Sequence, residues 1–279
     1  MARLLELSKW RVAERLKFLF HHEYVTRLDF AHRLLLSEMP SMPTKKAALC
    51  VAWRRKVELT ELPVRRVRFA QIPHDLTLND FHISVALSVK NNPDFSVEWW
   101  KTAYWFNLAR SDTHLKARYT ASGRTIVKQF EPDGAFCVGY KGKVYKRFFP
   151  EIDMSTQSRT RLALEKVRAW LAYVGSEGYK KHFGSPYGQC LFITTTQRRL
   201  KSLKRMIENT AGERAQEFLL TTQEAVSQNT IFTAPIWFKC GKSDQPLALF
   251  RPFADQEIEA EDTPAPQQRE PQQLFFAYS

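Results

Sequence analysis

Three carboxylates and a lysine are the residues of this chain whose types and spacing best fit a chemical site. Asp133 and Glu151 lie at the two ends of a segment that reads as a β-hairpin with a turn at residues 141–142. Antiparallel strands joined by a turn bring their outer ends together. Asp153 follows Glu151 by two residues, so both side chains point to the same face of an extended strand. We therefore expect three carboxylates to converge at one end of the hairpin.

Such a cluster needs a compensating positive charge, because neighbouring unpaired carboxylates repel one another. Either a divalent cation or a lysine or arginine side chain can supply it. Oxygen ligands of this kind suit Mg²⁺ or Mn²⁺. A metal of this type activates water and stabilises the phosphate group during phosphodiester cleavage.

Lys166 is the candidate cation from the protein itself. The pattern predicts a helix over residues 157–174, and its apolar face carries Leu162, Lys166, Ala169 and Tyr173. A lysine on that face is costly unless it meets an acid, and the carboxylate cluster would provide one. The alternative is that Lys166 extends to solvent and the acids form ordinary surface salt bridges. We expect Tyr173 to be a packed aromatic side chain.

The elements after this helix predict the sheet that positions the cluster. A short apolar strand at residues 189–194 is followed by a basic helix at 197–211, and further strands are predicted at 218–222 and 236–239. A hairpin, a helix and then alternating strands and helices indicate a mixed α/β (α+β) sheet flanked by helices.

The N-terminal segments predict a winged helix-turn-helix. Ser8 is placed to cap a helix that reaches His21, residues 26–29 resemble a capping box that opens a second helix, and a third helix is predicted from Thr44 to Arg55. Two short basic strands are predicted over residues 57–69. Three helices followed by a basic ribbon have the order of a winged helix.

In that arrangement the N-terminus of the third helix lies nearest the DNA bases, and the ribbon contacts phosphates or the minor groove. The alternative is a small helical domain whose cations are simply solvated. The predicted DNA-contacting residues are Thr44, Lys45 and Lys46 on the helix and Arg65, Arg66 and Arg68 on the wing.

A fourth helix is predicted to follow and to reach Lys90, with Phe81, Val85 and Val89 facing inward. We expect His74 and His82, near its start, to be structural and not metal ligands. The predicted organisation is a DNA-binding domain at 1–93, a nuclease-like domain at 94–254 and a disordered tail at 255–279.

The charge of the chain indicates a nucleic-acid partner. The formal net charge is +13, and the acidic, proline- and glutamine-rich tail lowers it by 5, which leaves about +18 on residues 1–254. The sequence has no long apolar segment, no signal-peptide pattern and no CxxC pair. We therefore expect a cytoplasmic protein without membrane insertion, and not a zinc ribbon or a disulfide scaffold.

The pattern Pro132–Asp133, then Glu151–Ile152–Asp153 and then the helix with Lys166 resembles the PD-(D/E)XK nuclease superfamily. More narrowly, the chain is similar to the replication-relaxation family of plasmid proteins, and within it to the mobilisation relaxases of the MOBC class. The similarity covers about residues 10–240. The segments that carry it are residues 24–31, 74–80, 151–159 and 191–194, together with Lys166 and Tyr173.

This resemblance implies a winged helix joined to a restriction-endonuclease-like core that nicks plasmid DNA at an origin of transfer. It implies that Asp133 and Glu151 are metal ligands. Asp153 stands where the superfamily usually has a lysine, so either Asp153 is a third ligand or Lys166 replaces that lysine from the helix. If neither holds, the fold is a non-catalytic DNA-binding protein.

The sequence thus predicts a plasmid mobilisation relaxase, with catalytic residues Asp133, Glu151, Asp153 and Lys166. Asp133, Glu151 and Asp153 are predicted to hold the metal, and Lys166 is predicted to stabilise the charge that develops on the phosphate. Arg159 and Arg161 are expected to hold neighbouring phosphates. The expected partners are plasmid DNA, an accessory mobilisation protein and a type IV coupling protein. One alternative is a non-catalytic winged-helix regulator of plasmid replication or transcription, and another is a defence nuclease.

Overall fold

The computed structural model divides into two compact units between Ala70 and Gln71. This division precedes the helix that ends at Lys90, which the predicted boundary at residue 93 assigned to the N-terminal domain. The structure describes residues 8–27, 41–56, 58–59, 62, 71–108, 115–121, 123–156, 158, 162–228, 231–242 and 244–250.

The N-terminal unit contains two helices and a small strand pair. Its elements are α1 (Lys9–His21), β1 (Val25–Arg27), β2 (Ser41–Pro43) and α2 (Lys45–Arg55). Both predicted caps are confirmed: the Ser8 hydroxyl accepts a hydrogen bond from the Arg11 amide, and the Thr44 hydroxyl accepts one from the Ala47 amide.

One N-terminal prediction is wrong. Thr26 and Arg27 were expected to open a helix, but both lie in β1, where Thr26 pairs with Met42 across an antiparallel ladder. The backbone bonds of the ladder replace the predicted capping box. The remainder of the predicted second helix and nearly all of the predicted wing, including Arg65, Arg66 and Arg68, lie outside the described residues. The winged helix therefore stays a prediction.

The second unit is a mixed α/β structure, as predicted. Its elements are α3 (Ile72–Lys90), β3 (Phe95–Thr102), α4 (Ala103–Leu108), β4 (Lys116–Ala121), β5 (Arg124–Gln129), β6 (Gly134–Tyr140), β7 (Val144–Asp153), a π-helical turn (Ala163–Val167), α5 (Arg168–Tyr173), α6 (Glu177–Phe183), β8 (Gln189–Thr194), α7 (Gln197–Ala211), a 3₁₀ segment (Gly212–Glu217), β9 (Phe218–Thr222), α8 (Gln223–Gln228) and β10 (Phe238–Lys239).

Six of these strands form one sheet in the order β10-β9-β8-β7-β6-β3. β3, β6 and β7 pair antiparallel, whereas β7, β8 and β9 pair parallel. The three-residue turn between the paired Tyr140 and Val144 has left-handed backbone at Lys141 (φ 51°) and Gly142 (φ 63°). It is closed by a hydrogen bond from the Lys143 amide to the Tyr140 carbonyl at 3.1 Å. Parallel pairing requires a crossover, which α5 and α6 supply before β8 and α7 supplies before β9.

The sheet is covered on both faces by apolar side chains. One face packs against α5, α6 and α7 through residues that include Phe149, Trp170 and Leu203. The other face packs against α3 through Phe81 and Val85, both of which are buried as predicted. Central strands buried on both faces read as continuous apolar runs. In the described part of the chain, no helix is both long and apolar enough to cross a membrane.

Pro150 lies within the central strand β7, where a missing N–H normally removes a ladder bond. The last registered pair of β6 and β7 is Phe136 with Phe148. Because backbone N–H groups alternate sides along a strand, the backbone nitrogen of Pro150 faces the β6 side, beyond this last pair. Its missing N–H therefore removes no bond of the registered ladder. Two residues later, the Ile152 amide faces the same side and donates to the carboxylate of Asp133 at 2.8 Å. The end of the β6 ladder is therefore where Asp133 meets β7.

His82 gives the second unit a predictable dependence on pH. Its ring stacks on Trp100 with centroids 4.2 Å apart, and burial lowers the pKa of His82 to about 4. The unfolded chain keeps a pKa near its usual value of about 6.5. Below that pH the unfolded state binds a proton that the folded state excludes, so stability falls between pH 6.5 and 4.

We expect the free energy of unfolding of the wild-type protein to fall by about 2 kcal/mol more than that of His82→Phe between pH 7 and pH 4.5. Urea unfolding followed by tryptophan fluorescence measures this difference. Other groups titrate in both proteins, so an equal loss in the two would contradict the neutral, stacked His82.

Candidate active site

Asp133, Glu151 and Lys166 meet at one end of the β6–β7 hairpin. Asp133 directly precedes β6, Glu151 lies near the end of β7, and Lys166 comes from the π-helical turn. The Lys166 Nζ atom is 2.7 Å from Glu151 Oε2 and 3.9 Å from Asp133 Oδ1. It also donates to the carbonyl of Glu131 at 3.1 Å. The lysine on the apolar face therefore meets two acids.

The helix that carries Lys166 is anchored by its apolar face. Leu162, Ala169 and Tyr173 are buried, in agreement with the predicted stripe. The Tyr173 ring stacks on Phe130 with centroids 4.4 Å apart, so it is a packed aromatic. The π-helical turn at Ala163–Val167 is wider than an α-helical turn, and such turns often occur at functional sites. Here it forms the segment from which Lys166 reaches the acids.

Asp133 is held by partners from two other elements. Its Oδ2 atom accepts hydrogen bonds from the Ile152 amide and, at 3.0 Å, from Nε2 of His74 in the first turn of α3. The other ring nitrogen of His74 lies 3.1 Å from Asp75 Oδ1. Two acids and two bases thus form one partly buried cluster, comprising Asp133, Glu151, Lys166 and His74.

The pKa values follow from burial and from these neighbours. Burial raises the pKa of Glu151 to about 7; Lys166 opposes this shift and Asp133 adds to it. Burial acts in the same direction on Asp133, but Lys166, His74 and the Ile152 amide hold its pKa below the ordinary value. For His74, burial alone would lower the pKa, whereas hydrogen bonds to Asp133 and Asp75 raise it to about 10. At neutral pH, Asp133 is therefore ionised, Glu151 lies close to its pKa, and His74 is protonated.

Asp153 points to the same side of β7 but has different partners. Arg199, near the N-terminus of α7, binds it through two nitrogens, with Nε 2.8 Å from Oδ2 and Nη2 3.0 Å from Oδ1. The hydroxyl of Thr194 donates to Oδ2 at 2.8 Å, and the Ser155 amide lies 3.3 Å from Oδ1. Asp153 is therefore occupied by a bidentate ion pair, and its side chain is only 2% exposed.

The residues fit a metal ion as a two-carboxylate site. Among the described residues, no group of three His, Cys, Asp or Glu side chains is arranged to hold a metal. Asp133 and Glu151, by contrast, share the same cation, because the Lys166 ammonium lies within 4 Å of both. Mg²⁺ is commonly bound by one or two carboxylates, with water and substrate phosphate completing its shell. Asp133 and Glu151 are therefore the residues that would hold such an ion.

The predicted DNA-contacting residues of the N-terminal unit lie at the start of α2. The Thr44 hydroxyl donates to the carbonyl of Glu23 at 2.6 Å, and the Lys46 ammonium donates to the carbonyl of His22 at 3.0 Å. Lys45 is exposed. Arg159 and Arg161 lie outside the described residues.

The sequence of residues 1–185 matches the replication-relaxation family. The chain belongs to this family. Its membership indicates a role related to plasmid replication or relaxation, and hence an interaction with DNA. No curated protein and no solved structure matches the chain significantly.

The replication-relaxation match includes His74, Asp133, Glu151, Asp153 and Lys166 but ends before Arg199. Two partners at the site were missed from the sequence. His74 was expected to be structural, although it lies in a segment that carries the family resemblance. Arg199 was counted only as one cation of a basic helix, because nothing in its spacing links it to Asp153, 46 residues earlier.

Removing the charge of Lys166 tests the cluster. We expect Lys166→Met to lower the free energy of unfolding by about 2 kcal/mol, because Glu151 and Asp133 lose a cation at a mostly buried site. Adding Glu151→Gln should recover part of this loss, since it removes one of the two stranded acids. Urea unfolding measures the cycle. Lys204→Met is the control, because Lys204 pairs with the more exposed Glu208 and Asp244.

If the losses of unfolding free energy caused by Lys166→Met and Glu151→Gln were simply additive in the double variant, the coupling between Lys166 and Glu151 would be contradicted.

The Asp153–Arg199 pair gives a second prediction. Arg199→Met leaves the buried Asp153 carboxylate without its bidentate partner, so we expect a loss of about 3 kcal/mol in unfolding free energy. Arg198→Met is the matched control, since Arg198 is the exposed neighbour on the same helix turn and should change stability by less than about 0.5 kcal/mol. Equal urea midpoints for the two variants would mean that the pair contributes nothing.

Proposed function

We propose that the protein is a plasmid mobilisation relaxase, a metal-dependent endonuclease that nicks one strand of DNA at an origin of transfer. The observation that supports it most is the pair of carboxylates, the half-buried Asp133 and the buried Glu151, both within 4 Å of the Lys166 ammonium. Family membership and the basic charge of the chain favour DNA as the substrate.

In this proposal Asp133 and Glu151 would hold Mg²⁺ or Mn²⁺, which would supply Lewis acidity at the scissile phosphate. His74 and the Ile152 amide fix the orientation of the Asp133 carboxylate before substrate arrives. Fixing the ligands in advance reduces the reorganisation needed during the reaction. Lys166 is the cation that stabilises negative charge developing on the phosphate.

Lys166 thereby takes the role of the lysine that the PD-(D/E)XK superfamily has at the position of Asp153. The bidentate contact of Asp153 with Arg199 supports this assignment, because the carboxylate is already neutralised. Asp153 then acts as a positioning residue for Arg199. Arg159 and Arg161 would hold neighbouring phosphates, and the N-terminal unit would bind duplex DNA through Thr44, Lys45 and Lys46 and the wing arginines. An accessory mobilisation protein and a type IV coupling protein are the proposed protein partners.

A nicking assay tests the proposal. Supercoiled plasmid that carries the protein's own origin region is incubated with Mg²⁺, with Mn²⁺ or with chelator. We expect metal-dependent open circles, and we expect Asp133→Asn to reduce their rate by at least about 100-fold while DNA binding persists.

Asp75→Asn is the matched control, because Asp75 contacts the same histidine from the exposed side and should retain most of the activity. Absence of nicking with either metal, despite normal DNA binding, would exclude the relaxase. Equal cutting of plasmids without the origin would favour the defence nuclease.

The alternative is a non-catalytic regulator of plasmid replication or transcription that keeps the nuclease-like fold as a scaffold. Lys166 and His74 favour it in one respect, because they balance the charges of Asp133 and Glu151 without a metal. The two functions differ in their response to metal. A regulator would bind its DNA equally in Mg²⁺ and in chelator and would leave the plasmid supercoiled.

A further inference from the structure

A two-stranded basic ribbon packs against α5, the helix that follows Lys166. β4 and β5 pair only with each other, in register from Lys116 with Gln129 to Ala121 with Arg124. Residues 115–129 contain four cations and no acid. This ribbon lies between β3 and β6 in sequence, and β5 ends four residues before Asp133.

One face of the ribbon attaches it to the helix of the catalytic lysine. Ala117 is fully buried in the core, and Tyr119 packs against the same cluster. Lys128, on this face, forms an ion pair with Glu165 at 3.1 Å. Glu165 directly precedes Lys166. The ribbon is therefore fixed to the segment that supplies Lys166.

The opposite face of the ribbon is open. Because side chains alternate along a strand, Lys116, Arg118 and Thr120 share this face, and the register adds Val127 and Thr125 from β5. All five are exposed, and the Val127 side chain is 52% exposed. Arg124 is exposed at the tip. The cations on this face and at the tip are not neutralised by an acid of the ribbon itself.

We propose that this ribbon binds in the major groove of the duplex next to the scissile phosphate. This inference rests on the proposed function. Paired strands are about 4.8 Å apart and six residues span about 20 Å, and a two-stranded ribbon fits a major groove about 12 Å wide. Arg118, Lys116 and Arg124 contact phosphates or guanine edges, and exposed Val127 contacts thymine methyl groups. An uncharged partner would gain nothing from these three cations.

The test measures DNA affinity in chelator, where no cleavage can occur. The ribbon variant is the full-length protein with both Arg118→Gln and Arg124→Gln. It is compared with a turn variant that carries Lys141→Asn and Lys143→Gln, which removes the same charge from the β6–β7 turn, at the end of that hairpin away from Asp133 and Glu151. A 30-base-pair duplex of mixed sequence is titrated at several salt concentrations, and fluorescence anisotropy gives Kd.

We expect the ribbon variant to bind about tenfold more weakly at 0.1 M salt and to reduce the slope of log K against log salt by about 1.8, the value for two lost phosphate contacts. The turn variant should behave like the wild type. Arg118→Lys with Arg124→Lys should restore most of the slope, because the charges return on the same backbone. The proposal would be overturned if the ribbon variant kept the wild-type salt slope, or if the turn variant lost as much slope as the ribbon variant.

Two modified conditions identify the groove. The difference in Kd between the wild type and the ribbon variant should persist when distamycin fills the minor groove. The same difference should vanish on a duplex whose cytosines carry glucosyl groups in the major groove. The reverse pattern would overturn the major-groove assignment. If the protein does not nick DNA but the ribbon variant still has a reduced salt slope, the relaxase proposal fails and the ribbon proposal stands. If the protein nicks at the origin but the ribbon variant has the wild-type slope, the ribbon proposal fails and the relaxase proposal stands.

Discussion

The ion pairs of the Lys166 ammonium, 2.7 Å from Glu151 and 3.9 Å from Asp133, are the interaction on which the site of the second unit depends. Two carboxylates at the end of one hairpin repel each other, and burial increases the cost because little water screens them. A cation on the crossover helix resolves this conflict and ties that helix to the hairpin. His74 adds a second positive group from α3. Elements on both faces of the sheet are thereby linked through the same pair of acids.

The two acids of β7 are handled differently although they lie on the same face. Glu151 shares its cation with Asp133, and burial raises the pKa of Glu151 to about 7. Asp153 is held by the fork of Arg199 together with Thr194. A bidentate guanidinium contact is geometrically demanding and is not readily given up. In the proposed function, Glu151 holds the metal, whereas Asp153 ties Arg199 and hence α7 to the end of β7.

The helix α3, the β6–β7 hairpin and the strands and helix from β8 to β9 were predictable because their sequences have clear turns or a clear period. No prediction was made for β3, α4, the β4–β5 pair, α6 or α8. The helix at Gln197–Ala211 and the strand at Gln189–Thr194 have the predicted bounds, since each is a single apolar stripe or run between clear breaks. The predicted helix start at Thr26 was wrong. A capping-box pattern describes only local hydrogen bonds, and β1 satisfies its backbone by pairing with Ser41–Pro43 instead.

The sequence by itself determined the hairpin, the acids at its ends and the helix face that carries Lys166, because turns and periodicity are local properties of the chain. It also determined the excess positive charge that indicates DNA. Only the tertiary structure decided which charges meet. His74 reaches Asp133 across 59 residues and Arg199 reaches Asp153 across 46. Contacts at such separations depend on how strands are ordered and helices cross the sheet, which no local pattern specifies.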